Sequence, residues 1–250
     1  MREKTSRETA VGRISEALPV GRGVTALIGG GGKTTLMHVL AEELKETGTV
    51  ILCTSTAILP PEEFPVLTDG RSDSVRRALG DKGAVCVGKM GADGKLHAPD
   101  LSFSELAGLA DYVIAEADGS RGLPLKAHAP HEPVIPKNTR LTVLVIGIDG
   151  IGRPIYEACH RPELYAALAG SGAEEAVSLE MAARAAAAEG LGDIAFINKA
   201  EGEERIAAAR ELAVMLPYPA VIGSLFRREY LCLSSSGARE TLRPASRSAL

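Results

Sequence analysis

Short apolar runs alternate along the chain with segments in which apolar residues recur at helical spacing. The runs that predict buried strands are residues 24–28, 50–52, 84–87, 112–115, 141–148, 193–197 and 219–222. The segments with helical spacing are residues 34–47, 75–79, 102–110, 161–169, 178–189 and 203–215. Strands that alternate with helices form parallel sheets covered on both faces. The pattern therefore predicts an α/β fold, a three-layer, mostly parallel sheet with helices on both faces.

The segments without clear periodicity predict the loops and the two ends of the chain. Residues 1–20 predict an amphipathic lead-in with a short helix, and residues 234–250 predict a flexible polar tail. Residues 55–83 begin with an irregular loop that contains three prolines, and the Asp-Gly pair within residues 91–99 predicts a turn or hairpin end. Because no linker or internal repeat interrupts the pattern, we expect residues 1–250 to form a single P-loop α/β domain.

The composition narrows the class of protein. The net charge is −4, aromatic residues make up 4% and tryptophan is absent, which disfavours nucleic acid as the main partner. No apolar run approaches the roughly 20 residues needed to span a bilayer, and the charged first residues lack the apolar core of a signal peptide. The four cysteines form no CxxC pair, which suits a reducing compartment. We therefore expect a cytoplasmic protein without a membrane segment.

A glycine-rich turn joins the first strong strand to the helix that follows it. Glycines allow successive amides to converge on an anion, and the helix points its positive end at the phosphates. The longer pattern G-x-x-x-x-G-K-[ST] requires glycine where Leu27 stands, but the shorter turn G-x-x-G-K-T-T fits and resembles the loop of Mur-type ligases. We predict that this phosphate loop binds ATP or GTP. It consists of Gly29, Gly30, Gly31, Gly32, Lys33, Thr34 and Thr35.

Two acidic residues follow the predicted strand 112–115. Glu116 and Asp118 lie two positions apart, so both face the same side of an extended chain. In P-loop proteins a carboxylate and the loop hydroxyl, here Thr34, hold Mg²⁺ while the loop lysine, Lys33, reaches the β and γ phosphates. We expect one acid to bind Mg²⁺ and the other to act as a base or switch. The sequence leaves open which acid has which role.

A second nucleotide-binding candidate ends a late predicted strand. Asn198, Lys199 and Glu201 resemble the N-K-x-D element of GTP-binding proteins, with Glu in place of Asp. A carboxylate there accepts two N–H groups of guanine, while Asn198 contacts the base edge and the Lys199 stem stacks on its face. The alternative interpretation is a helix start, with Glu201 near the positive end of the helix. GTP and ATP both remain candidates.

Four stretches of the chain are together similar to the YqeC family. They are GGGGKTT in the phosphate loop, EADGSRGLPLKAHAPHEPVIP from Glu116, GIDGIGRPI from Gly147 followed by CHRPE from Cys159, and INK from Ile197. The resemblance extends over residues 23–223. The family is described as accessory proteins of selenium-dependent molybdenum hydroxylases. The resemblance therefore implies a P-loop NTPase-like protein in the maturation of such a hydroxylase or of its selenium cofactor, with the hydroxylase or its cofactor-assembly proteins as partners.

Basic residues and histidines follow the acidic strand end. Arg121 and Lys126 are expected to stabilise phosphate charge during catalysis or to bind a second anionic substrate. His128 and His131 have no recognised zinc spacing, so solvated loop side chains are the simpler interpretation. Arg161 begins a predicted helix or, as the resemblance implies, belongs to the site.

Three functions fit these features. The first is a Mg²⁺-dependent nucleotide-hydrolysing maturation factor, in which turnover moves the segment of residues 117–140. The second is a phosphotransferase or Mur-like ligase that acts on a small anionic substrate. The third is a scaffold that binds nucleotide without hydrolysing it. The sequence does not indicate an oligomeric state.

Overall fold

The computed structural model describes residues 7–234. The strands are β1 Arg7–Val11, β2 Gly23–Gly29, β3 Val50–Thr54, β4 Ala57–Ile58, β5 Val66–Leu67, β6 Ala84–Val87, β7 Lys89–Met90, β8 Leu96–His97, β9 Tyr112–Glu116, β10 Leu125–Lys126, β11 Thr139–Gly147, β12 Cys159–His160, β13 Ile194–Asn198, β14 Ala220–Ser224 and β15 Glu229–Ser234. The helices are α1 Ile14–Ala17, α2 Lys33–Leu44, α3 Ser72–Lys82, α4 Phe103–Leu109, α5 Ile155–Ala158, α6 Pro162–Ala169, α7 Leu179–Glu189 and α8 Gly202–Met215, with a 3₁₀ turn at Ile148–Gly150.

Ten strands form one large sheet in the order β1-β15-β14-β13-β11-β2-β9-β3-β6-β5. The strands from β14 to β5 are parallel, while β15 and β1 extend the sheet with two antiparallel pairings. The chain passes from β2 to β3 over the intervening β9, so the strand order switches direction beside β2. Ligands of open parallel sheets bind beyond the carboxyl ends of the strands at such a switch point.

The side chains of β2 show how the sheet is covered on both faces. Leu27 points to the core formed with α1 and α2, whereas Ala26 and Ile28 point to the opposite core under α5 to α8. Val24 lies on that second face too, in the part covered by α3 and α4. The alternation is the period of two expected for a strand with helices on each side. The predicted three-layer, mostly parallel α/β fold is confirmed.

The predictions for the two ends of the chain need correction. The predicted lead-in helix spans only Ile14–Ala17, because Arg7–Val11 pairs as an edge strand with β15. The run at residues 219–222 is not the last strand, since Glu229–Ser234 returns antiparallel to it. The predicted flexible tail beyond residue 234 lies outside the described residues. No helix of the described residues is long and apolar enough to cross a membrane.

Two local predictions are confirmed, and four short strands, β4, β5, β10 and β12, were missed. Ser102 caps α4 through a capping box with Glu105, and residues 91–95 turn between β7 and β8. The proline-containing loop also contributes β4, which pairs with β8 into a small three-stranded sheet. The long segment after β9 is not structureless, because β10 pairs in parallel with β12.

Candidate functional site

The phosphate loop leaves β2 at the centre of the sheet and enters α2. Gly31 and Gly32 have positive φ angles of 83° and 124°, which L side chains rarely adopt. A Cβ on Gly31 would overlap the backbone of Gly147, and one on Gly32 would lie 2.7 Å from the side-chain nitrogen of Asn198. The run of glycines is therefore required by both backbone angle and close packing. The amides of Gly29, Gly30 and Gly31 already donate to Asp118, Val145 and Leu123. The amides that remain for an anion are therefore those of residues 32–35, at the positive end of α2.

Lys33 is the first residue of α2, and its ammonium is turned back towards the loop. Its Nζ donates a hydrogen bond of 2.7 Å to the carbonyl of Gly29. The same atom lies 3.0 Å from Asp118 Oδ1 and 3.6 Å from Glu116 Oε1. Both acids predicted from the strand end therefore meet the loop lysine, as their two-residue spacing requires.

Glu116 lies beside the loop hydroxyl. The Oγ1 of Thr34 donates a 2.7 Å hydrogen bond to Glu116 Oε2. Burial raises the pKa of Glu116, against the charge of Lys33 and the hydrogen bond from Thr34. A hydroxyl and a desolvated carboxylate are the hard oxygen ligands that Mg²⁺ prefers. Among residues 7–234 no group of three His, Cys, Asp or Glu side chains forms a complete metal cage, so a Mg²⁺ ion here would need phosphate and water as further ligands.

Asp118 has a different environment, which the sequence did not show. It is fully buried, accepts the amide proton of Gly29 at 2.8 Å and lies 2.6 Å from His128 Nε2. The other ring nitrogen of His128 lies 2.8 Å from Glu189. Because both ring nitrogens face carboxylates, which only accept, His128 is held as the imidazolium.

The pKa values of this buried network agree with the geometry. Burial opposes ionisation of Asp118, but the hydrogen bond from His128 and the charges of Lys33 and Lys126 outweigh it and lower its pKa to about 2. Burial also opposes the charge on His128, but its bonds to Asp118 and Glu189 raise its pKa. Asp118 thus anchors the start of the phosphate loop, and Glu116 is the acid that faces the hydroxyl.

A cleft of about 560 Å³ opens in front of the phosphate loop. Four cationic side chains and one carboxylate are among the groups that line it. They are Lys33, Lys95, Arg121, Lys199 and Glu116. The remaining wall consists of Gly32, Thr34, Thr35, Ala57, Ile58, Leu59 and residues 119, 120 and 122. The cleft therefore combines excess positive charge with an apolar edge, which suits a polyphosphate joined to a flat ring system.

The predicted base-binding residues lie at the end of β13, next to the loop. Asn198 donates to the carbonyl of Gly31 at 2.8 Å and accepts the amide proton of Leu225 at 3.2 Å. Glu201 accepts a 2.7 Å bond from the hydroxyl of Ser224. Only Lys199 of the three predicted residues lines the cleft. Asn198 therefore fastens the phosphate loop to the neighbouring strand, and base recognition by Asn198 and Glu201 stays a prediction.

The two predicted basic residues of the long segment are separated by the fold. Arg121 lines the cleft. Lys126 does not: its side chain is 0% exposed and forms an ion pair of 2.8 Å with Glu132. Arg161 contacts the same carboxylate at 3.0 Å and stands at the start of α6. It does not line the cleft, so its membership of the site stays a prediction. His131 is exposed, in contrast to the buried His128.

Sequence reasoning missed several residues that shape the site. Asp149 holds the ammonium of Lys199 at 2.8 Å, and it belongs to the GIDGIGRPI stretch that was noted only as a resemblance. The sequence did not indicate a role for Glu189, because it is the last residue of an alanine-rich helix and lies far from His128 in sequence. Lys95 reaches the cleft because the hairpin of β7 and β8 pairs with β4. Only tertiary structure brings these groups to the site.

The fold and this site define a P-loop-type α/β domain, in which a central strand, a glycine bend and a helix present Lys33 and Thr34 to a cleft. A family model described as YqeC protein matches residues 25–163, and the chain belongs to this family. The uncharacterized protein YqeC of Escherichia coli (strain K12) is 33% identical over 155 residues, which cover 59% of this chain. The match spans 60% of that relative's own length.

The chain is also similar to solved structures. The signal recognition particle 54 kDa protein of Aeropyrum pernix K1, solved in complex with GDP, is 18% identical with a TM-score of 0.42. The overlap covers 84% of this chain and 43% of the other. A likeness of this size carries no functional conclusion.

Proposed function

We propose that the protein binds a nucleoside triphosphate, GTP or ATP, with Mg²⁺ in the cleft and hydrolyses it. The observation that carries this proposal is the Thr34–Glu116 hydrogen bond at the mouth of a glycine bend that also presents Lys33. A turn that only reversed the direction of the chain would need neither a buried lysine nor a carboxylate bonded to the hydroxyl of the following residue. Their combination is the constellation that P-loop proteins use for phosphates and Mg²⁺.

Different parts of the site would bind different parts of the nucleotide. The amides of the phosphate loop and the positive end of α2 hold the β phosphate. Lys33 exchanges its bond to the Gly29 carbonyl for phosphate oxygens and keeps Asp118 beside it. Arg121, which already lines the cleft, stabilises charge on the terminal phosphate. The Lys199 stem and Leu59 flank the nucleobase.

The oxygen ligands present fit a Mg²⁺ ion. Thr34 and Glu116 would hold it, and when bound it would neutralise charge on the phosphate oxygens. A cation would also compensate the burial that raises the pKa of Glu116. Asp118 would not ligate the metal, because its Oδ2 is bonded to Gly29 and His128 and its Oδ1 lies 3.0 Å from the Lys33 ammonium.

Calorimetric titration with GTP and ATP, each with and without Mg²⁺, tests this proposal. We expect one nucleotide per chain, tighter binding with Mg²⁺, and at least about a tenfold loss in Lys33→Ala, because a charge-assisted phosphate contact is removed. Lys45→Ala is the matched control, since Lys45 ends the same helix and pairs only with Glu42 at the surface. Equal nucleotide binding by wild type and Lys33→Ala would refute the proposal.

We further propose that nucleotide turnover serves the maturation of a selenium-dependent molybdenum hydroxylase, which is supported by the family resemblance alone. The second candidate reaction is phosphoryl transfer or ligation to a small anionic substrate. It is favoured by Arg121, which lines the cleft and whose charge also acts on His160 beside Lys126 and Arg161. Product analysis separates the two reactions: release of bare phosphate supports hydrolysis, and a phosphorylated or ligated small molecule supports transfer.

A further inference from the structure

A cluster of basic side chains lies beside the cleft, on the two-stranded sheet of β10 and β12. Lys126 and His160 are partners in the parallel register of these strands. Glu132 accepts from Lys126 at 2.8 Å and lies 3.0 Å from Nη2 of Arg161. The charges of Lys126, Arg161 and Arg121 all act on His160 and, together with its burial, lower its pKa. Two of these four basic groups, Lys126 and Arg161, thus share the carboxylate of Glu132.

The charges of this cluster are not balanced. Lys126, Arg121 and Arg161 are cations. The anions near Lys126 are Glu132, which it contacts, and the buried Asp118, whose pKa its charge helps to lower. His160 is neutral near pH 7 because its pKa is lowered, and no anion of the described residues pairs with Arg121. Within residues 7–234, Arg121 forms no hydrogen bond or ion pair with another side chain. Arg121 is exposed and Arg161 is half-buried, so both guanidinium groups are accessible to an oxyanion that enters from solvent.

The cluster has a buried base and an open side. The side chain of Lys126 is 0% exposed and that of Glu132 is 16% exposed, whereas that of Arg161 is 31% exposed. Lys126 and Glu132 therefore fix the base of the cluster. Arg161 is oriented by Glu132 while part of its guanidinium faces solvent, and a guanidinium presents a planar fork to an oxyanion.

Both arginines have a backbone conformation that is unusual for their residue type. Arg121 and Arg161 have φ angles of 53° and 66°, in the left-handed region that non-glycine residues rarely occupy. Such conformations are retained where the surrounding structure fixes a side chain for a purpose, and they are frequent in ligand clamps. Both arginines act on the same histidine, His160, and Arg161 has this conformation at the N-cap of α6.

The cluster adjoins the cleft, which Thr34 and Glu116 also line. Arg121 lines that cleft together with Gly119, and Lys126 donates to the carbonyl of Gly119. We propose that Arg121, His160 and Arg161 form a second anion-binding site, which takes the oxyanion group of a small second substrate next to the terminal phosphate. This inference deepens the proposed function and rests on it for the role of the anion as a substrate group.

Inorganic phosphate is the probe that tests the second site. The protein is first saturated with a non-hydrolysable triphosphate analogue and Mg²⁺, so that the phosphate loop is filled. Phosphate is then titrated while the Nε–H resonance of Arg161 is followed by NMR and the heat by calorimetry. We expect one further phosphate per chain and a saturable shift of the Arg161 resonance. Acetate and sulfate titrations show whether the site prefers a planar or a tetrahedral oxyanion.

Three variants make the result specific. Arg121→Met and Arg161→Met are each expected to weaken phosphate binding by about tenfold or more, because each removes a charge-assisted contact. Arg161→Lys keeps the ion pair with Glu132 but loses the fork, so it is expected to fold and still bind phosphate more weakly. Arg77→Met, on the exposed surface of α3, is the control and should bind phosphate like wild type. Arg161→Met should retain its affinity for the triphosphate analogue.

The outcomes separate the two proposals. If the analogue does not bind, the proposed function fails, while the Arg161 resonance still reports phosphate at the second site by itself. If the analogue binds but phosphate produces no saturable shift, or the arginine variants bind phosphate like wild type, the second anion site is refuted.

Discussion

The different surroundings of the two strand-end acids lead to a prediction that pairs two conservative variants. Asp118→Asn removes the charge that lies 3.0 Å from Lys33 and 2.6 Å from His128. Both cations are buried, and breaking a buried ion pair costs about 3–5 kcal/mol because the remaining charge is uncompensated. For a domain of this size, about 1 kcal/mol lowers Tm by roughly 2–4 °C. We therefore expect Asp118→Asn to melt roughly 6–20 °C below wild type.

Glu116→Gln should behave in the opposite way. The amide can keep a bond to the Thr34 hydroxyl. Removal of a buried charge is favourable and offsets the loss of the 3.6 Å contact with Lys33. The expected change in the free energy of unfolding is no more than about 1 kcal/mol. Its nucleotide affinity should no longer increase on addition of Mg²⁺, because the metal's carboxylate ligand is gone.

Thermal unfolding followed by circular dichroism, together with nucleotide titration at varied Mg²⁺, measures both effects. Asp118→Asn should retain Mg²⁺-dependent binding at a temperature where it is folded. The assignment is wrong if Asp118→Asn is as stable as wild type but loses its Mg²⁺ dependence, while Glu116→Gln is unstable and keeps it.

Two further predictions concern the loop and its buried network. Gly31→Ala should abolish nucleotide binding in calorimetry, since its methyl group would overlap Gly147, whereas Gly80→Ala, with open space around it, should bind normally; equal binding by both variants would contradict the close packing. The raised pKa of His128 means that its contribution to stability is complete below its ordinary value of 6.5 and is lost as the pH rises through the folded-state pKa. The lowered pKa of Asp118 adds stability that is present above 3.8 and is lost as the pH falls through about 2. Urea unfolding from about pH 5 to pH 9 should show a loss of stability at the upper end of this range in wild type. The same loss in His128→Gln would show that it does not come from His128.

The parts of the site that sequence could predict are those encoded locally. A strand, four glycines, Lys33 and Thr34 are consecutive, so the bend and its helix follow from short-range rules. The meeting of Glu116 and Asp118 at Lys33 follows from their two-residue spacing on a strand. These features depend little on contacts with residues that are distant in sequence.

The different roles of Glu116 and Asp118 depend instead on residues that are distant in sequence. Glu189 holds His128 from 61 positions away, and no periodicity links a helix end to a loop histidine. Edge strands β1 and β15 were missed for a related reason. Their sequences carry little apolar alternation, and their backbone groups find partners only once the sheet exists.

A crystal structure with a non-hydrolysable triphosphate analogue and Mg²⁺ tests the central claim most directly. We predict a β phosphate on the amides of residues 32–35, the Lys33 ammonium on phosphate oxygens, and the metal on Thr34 and Glu116 with Asp118 still bonded to His128. A nucleotide bound elsewhere, with Lys33 unmoved from the Gly29 carbonyl, would contradict it.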